Sequence, residues 1–125
     1  MAVPYGLSTK TMLVTTNVNS MGLEAVASTR TRWITFLYVA NIYGGEQTIY
    51  FASCQASSIT GATTGMKVSN ASTRAKFVVR VTPNQNLPVG QADPAHPLFS
   101  IAASKFLCVQ PTRGQARVTI QYFDQ

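Results

Sequence analysis

Carboxylates are scarce in this 125-residue chain, with Glu24, Glu46, Asp93 and Asp124 the only four. Charged residues make up 11% of it, against about 25% in an average soluble domain. Histidine occurs once, at His96, and cysteine twice, at Cys54 and Cys108. The four acids are scattered, so the sequence offers no paired-carboxylate chemistry. Neither CxxC nor any other metal-ligand spacing is present. GxSxG, HExxH, Walker A and GxGxxG are also missing, and with them the motif-level signs of a nucleophile, a zinc site or a phosphate cradle. His96 has Asp93 near it in sequence but no nucleophile that a motif assigns to it. No cofactor is implied, and the expectation is a protein that is not an enzyme. Long apolar runs are lacking too, so no transmembrane helix is expected. The start, Met1-Ala2-Val3-Pro4-Tyr5-Gly6, has no basic stretch leading into an apolar one, and synthesis in the cytoplasm without secretion is expected.

What the chain does have is Thr, Ser, Asn, Gln and apolar residues in strand-like order. Such a sparsely charged surface suits a protein that is packed against neighbours. The formal charge is +6, which permits attraction to nucleic acid or to an acidic protein surface. The bases form no run, only the loose groups Arg30/Arg32, Arg74/Lys76/Arg80 and Arg113/Arg117. Complementarity to an acidic protein therefore ranks ahead of nucleic-acid binding. Cys54 and Cys108 each sit in an apolar run. Buried thiols and a disulfide both fit that setting.

Periodicity predicts an all-β fold, a single antiparallel β-sandwich of jelly-roll-like type spanning residues 1–125. Residues 11–16 read as a first strand. Residues 31–40 read as a central strand apolar on both faces, and 46–54 as its hairpin partner across Gly44-Gly45. Residues 57–65 read as a loop, 76–82 as a strand, and 105–110 with 115–123 as a closing hairpin. Residues 21–29 are the one short helix candidate. The expected core includes Trp33, Phe36, Phe51, Phe77, Val79, Val118 and Ile120. Two segments look irregular: an N-terminal arm over residues 1–10 and a long Pro-rich loop over 83–97, of a length that is usually functional or disordered. Both mix proline with apolar residues and are expected to contact partners through Val3, Pro4, Tyr5 and Leu7 and through Leu87, Pro88, Val89 and His96. Tyr43, Arg30, Arg32 and Arg113 complete the candidate contact residues.

The order of elements carries a resemblance. It lies in the Asn-centred turn of Tyr38-Val39-Ala40-Asn41-Ile42-Tyr43-Gly44-Gly45 and its flanks, in the closing run from Leu98 to Gln110, and in the final strand Arg117-Val118-Thr119-Ile120-Gln121-Tyr122-Phe123. In this pattern the chain resembles the small β-sandwich head decoration, or cement, proteins of tailed bacteriophages. Where that family carries an acidic Gly-Asp turn, this chain has Ala103-Ser104-Lys105. The resemblance transfers no catalytic residue. It implies a virion protein on the capsid surface, a homotrimer that clamps subunits of the major capsid protein. A coat protein that builds the shell itself and a basic β-barrel that binds nucleic acid are the alternatives.

Overall fold

The computed structural model describes residues 7–16, 23–55, 75–91 and 93–125. They form eight strands and no helix: β1 (Ser8–Val14), β2 (Arg32–Asn41), β3 (Gln47–Gln55), β4 (Ala75–Val81), β5 (Asn86–Gly90), β6 (Phe99–Ile101), β7 (Lys105–Pro111) and β8 (Ala116–Asp124). Every pairing is antiparallel. One sheet runs β1-β8-β2-β5, with β6 following β5 along the same side of β2, and the other runs β4-β3-β7. The chain changes sheet between β2 and β3, β4 and β5, β6 and β7, and β7 and β8. That path makes a two-layer sandwich of the jelly-roll type. Residues 23–31 contain no helix. They lie along β7, where Val26 N–H donates to the Lys105 carbonyl (2.9 Å) and Ser104 N–H to that of Val26 (2.8 Å).

Strict alternation builds the layers. In β8, Ala116, Val118 and Ile120 are completely buried, and the residues between them point outward. Their partners in the core include Ile34, Leu37 and Val39 of β2, Ile49 and Phe51 of β3, and Leu107 and Val109 of β7. Phe99 bridges the sheets, stacked on Phe77 at 5.5 Å between ring centroids and tilted against Phe51 at 6.1 Å.

Five sequence expectations are corrected. The segments 31–40 and 46–54 do not form a hairpin, because β2 and β3 lie in different sheets. A two-residue hairpin turn needs positive φ at its glycines, and Gly44 and Gly45 do not adopt it. Here the chain turns a corner instead. The closing hairpin fails in the same way: β7 pairs with β3, and β8 with β1 and β2. Third, β2 is central but packs against the other sheet through one face only. Its register shifts at Thr35, between Ile34 and Phe36, so inward positions are even before the bulge and odd after it. Arg32 and Ile34, the bulged Thr35, then Leu37, Val39 and Asn41, are the buried residues. Trp33 and Phe36 are thereby sent to the outer face and are half-buried, and Phe77 is half-buried at the rim of the core, whereas Phe51, Val79, Val118 and Ile120 are buried as expected. Fourth, the Pro-rich stretch holds β5, an edge strand that pairs with residues 36–40 of β2. Proline is tolerated at such an edge because its missing N–H costs no ladder bond there. Finally, residues 8–10 belong to β1 and not to an arm, while residues 1–6 and the loop expected at 57–65 lie outside the described residues.

Cys108 is buried and disulfide-bonded, and among the described residues no cysteine is free. Cys54 is the chain's one other cysteine, on the neighbouring strand opposite Phe106.

Candidate contact surfaces

The polar interior of the fold is occupied by scaffolding. Arg32 is 6% exposed. Its Nε and Nη2 donate to the two carboxylate oxygens of Asp124, both at 2.8 Å, and Nη1 donates to the Glu24 carbonyl at 3.1 Å. The Tyr122 ring lies 4.9 Å from its guanidinium carbon. The arginine's pKa is raised, chiefly by the hydrogen bonds to Asp124. A candidate contact residue is therefore committed internally, tying the end of β8 to the start of β2. The buried amides of Asn41 and Gln47 do the same at the opposite end. Asn41 Nδ2 donates to the carbonyls of Gly45 (3.0 Å) and Thr82 (2.7 Å). Gln47 Nε2 donates to Asn41 Oδ1 (2.8 Å), and Gln47 Oε1 accepts from the N–H groups of Arg113 (3.2 Å) and Gly114 (3.0 Å). Three turns are thus locked by two side chains.

That locked end presents a tip. Tyr43 sits over glycines, and a Cβ at Gly45 or Gly114 would come within 2.7 and 2.5 Å of its ring. Tyr43 and Arg113 therefore share one end of the molecule, both exposed. Beside them an open polar cleft of about 370 Å³ is lined by Glu46, Gln47, Thr48, Thr112 and Arg113.

The outward face of β1-β8-β2-β5 belongs to the sheet with more strands. Alternation and register place Thr9, Thr11 and Leu13 of β1, Arg117, Thr119 and Gln121 of β8, Phe36 and Tyr38 of β2, and Pro88 of β5 on it. Leu13 and Tyr38 are 42% and 39% exposed. Thr11 and Thr119 bond through their hydroxyls at 2.9 Å. Arg117 is the single charged residue among these. The opposite face, on β3 and β4, is more basic, with exposed Lys76, Val78 and Arg80 alternating along β4 beside Thr48 and Tyr50 of β3.

At one end of the first face, residues 93–97 fold back over their own sheet. Pro94, Ala95 and Pro97 with Trp33 and Phe123 line an open apolar slot of about 140 Å³. The turn is held by Asp93, whose carboxylate accepts from the Ala95 N–H (2.9 Å) and pairs with His96 Nδ1 (2.8 Å). The Asp93 pKa is lowered, first by the Ala95 N–H and then by His96. The His–carboxylate pair is thus part of a solvent-exposed turn, three residues apart in sequence.

The remaining candidates divide between the surface and the core. Pro88 is exposed on the edge strand opposite Tyr38, but Leu87 and Val89 alternate inward and pack on the core. Arg30 is exposed, 3.5 Å from the Asp124 carbonyl. Leu7 is half-buried at the entry to β1, and Val3, Pro4 and Tyr5 lie outside the described residues. Tyr38, Leu13 and the Trp33–Phe123 slot were missed by the sequence reading, and for Tyr38 the reason is that a one-residue bulge decides which side of β2 faces out. Among the described residues no group of three His, Cys, Asp or Glu could hold a metal ion, and no helix is long and apolar enough to cross a membrane. Comparison with protein-family models, curated proteins and solved structures returns no match.

Proposed function

We propose that this chain is a virion structural protein, a capsid decoration or cement protein that binds the outside of a phage head as a homotrimer and stabilises contacts between subunits of the major capsid protein. The observation that carries the reading is the outward face of β1-β8-β2-β5. It is broad and rigid, rich in threonine, with Leu13 and Tyr38 exposed and Arg117 as its one charge. A strand-backed face of that kind offers apolar contact and neutral hydrogen bonds with little side-chain entropy to lose. Its repetition at symmetric shell positions would raise the effective affinity beyond that of any one contact. The polar groups of the interior act as scaffold, which favours a binding role over a chemical one. The tip with Tyr43 and Arg113 supplies a second, more polar contact.

The jelly-roll path also favours a shell-building coat protein, since viral capsid domains use it. Fold alone does not choose between these roles. Size-exclusion chromatography with light scattering does. A decorating protein elutes as a small oligomer at every concentration, whereas closed particles formed by the purified chain alone would establish the coat reading and overturn ours.

A further inference from the structure

Of the four carboxylates, Asp124 is held by Arg32 and Asp93 by His96. Glu46 is exposed and enters no ion pair among the described residues, and the same holds for Arg113. The two line one open cleft at the tip. Their main chains are tied together. Thr48 N–H donates to Thr112 Oγ1 and Thr112 N–H to the Thr48 carbonyl, both at 3.0 Å, and Gln47 Oε1 accepts from the Arg113 N–H. Opposite charges are thus carried on one rigid base without pairing with each other. The same tip exposes two large apolar side chains, Ile42 and Tyr43, at 44% and 36%. Both are pinned through the backbone. Ile42 N–H donates to the Gln115 carbonyl (3.2 Å) and Tyr43 N–H to Asn41 Oδ1 (3.1 Å). An aromatic and an aliphatic group beside exposed charges have the make-up of an interface centre and its rim.

The charges select the occupant. A phosphate or an acidic surface drawn to Arg113 would be opposed by Glu46 in the same cleft. A second copy of the tip offers both partners at once, a carboxylate for Arg113 and a guanidinium for Glu46. We propose that the tip is the contact between copies of this chain: three tips converge on the trimer axis, and Arg113 of each copy pairs with Glu46 of the next beside Ile42 and Tyr43. This contact rests on the homotrimer reading and gives the tip its partner. It is heterologous, and a three-fold rotation closes it into a ring. Each copy is then held by two neighbours, which strengthens a contact of small area. The outward face of β1-β8-β2-β5 stays free for the head.

Exchange of charge, read by light scattering after size-exclusion chromatography, tests the ring. Glu46→Arg and Arg113→Glu each set like charges against each other at every contact. Each is expected to cut the mass about threefold, from trimer to single chain, at a concentration where the unsubstituted protein is trimeric. The β signal in circular dichroism is expected to be retained. Glu46→Arg and Arg113→Glu combined in one chain are expected to restore the trimer, which a merely structural role of either side chain would not do. Ile42→Asp, which leaves both charges in place, is expected to dissociate the trimer as well. Trimers that survive all the single substitutions would overturn the tip contact and leave the homotrimer standing. So would a double variant that stays dissociated. An unsubstituted chain that is monomeric or dimeric at every concentration would overturn the homotrimer itself, and the ring with it.

Discussion

Arg32 shows how much a single side chain carries in a domain with four carboxylates. Its planar fork meets both oxygens of Asp124 while its third nitrogen caps the Glu24 carbonyl. Removing the fork leaves a partly buried carboxylate unpaired. Arg32→Met is expected to cost about 2–4 kcal/mol in chemical denaturation, somewhat below the full buried-pair range because Asp124 keeps some solvent. Arg32→Lys should recover only part of that, since an ammonium cannot reproduce the bidentate geometry. A loss of under about 0.5 kcal/mol, the level of a surface substitution, would contradict this account of the pair. Gly90 is a second such position. Its φ is +87°, and a Cβ would lie 2.6 Å from the Thr35 carbonyl oxygen. Gly90→Ala should cost about 2–3 kcal/mol through backbone strain and displacement of the bulge, measured in the same way. Asp93 gives a pH dependence. Its carboxyl is held below its ordinary value of 3.8, so the charged form contributes order to the 93–97 turn above that pH, and the contribution is lost as pH falls through the lowered folded value. Trp33 emission should therefore be constant from neutral pH down to about pH 5 and move to the red only in stronger acid. A shift already under way closer to neutral pH would contradict a turn held by the Asp93 carboxylate.

Among the elements, the strands were legible in the sequence and their partners were not. The alternation at residues 116–122 identified β8 and its core face directly, because one buried face imposes period two. The turns at 41–46 and 111–115 were also visible, through Gly44-Gly45 and Pro111 with Gly114. Which sheet each flanking strand joins depends on a lock between side chains distant in sequence. Gln47 reaches Arg113 and Gly114, and Asn41 reaches Thr82, and no local pattern encodes such pairs. Likewise the Thr35 bulge inverts the facing of β2 without any proline or glycine in that strand to announce it. The proposed contact surface was therefore the less legible part. Arg32, Leu87 and Val89 carry the composition of contact residues but are committed to the interior, and Tyr38 lies in an apolar run with no local sign of its outward facing. The corner lock makes its own prediction. Gln47→Leu leaves the N–H groups of Arg113 and Gly114 without their acceptor and should cost about 2–3 kcal/mol, seen as a lowered denaturation midpoint. A neutral effect would show that the corner is held by the strands alone. Reduction of the disulfide is expected to be larger. A bridge to Cys54 closes a loop of 54 positions (108 − 54), for which chain entropy gives about 4 kcal/mol. A melting temperature unmoved by reductant would contradict that bridge.

For the molecule as a whole, the central claim is that it acts by docking a rigid, sparsely charged face on a protein shell. The formal charge of +6 invites the competing account, in which basic side chains such as Lys76 and Arg80 neutralise phosphates. Salt separates the two. Apolar and neutral hydrogen-bonding contacts weaken only modestly with ionic strength, whereas release of counterions from several phosphates lowers affinity by orders of magnitude over a few-fold rise in salt. The most direct measurement is cosedimentation of the purified protein with undecorated phage heads and, in parallel, with DNA, between about 50 and 200 mM salt. Our account predicts saturable binding to heads that changes little across the series, weakened by Tyr38→Asp on the outward face, with no binding to DNA. Steeply salt-sensitive binding to DNA with no affinity for heads would contradict it.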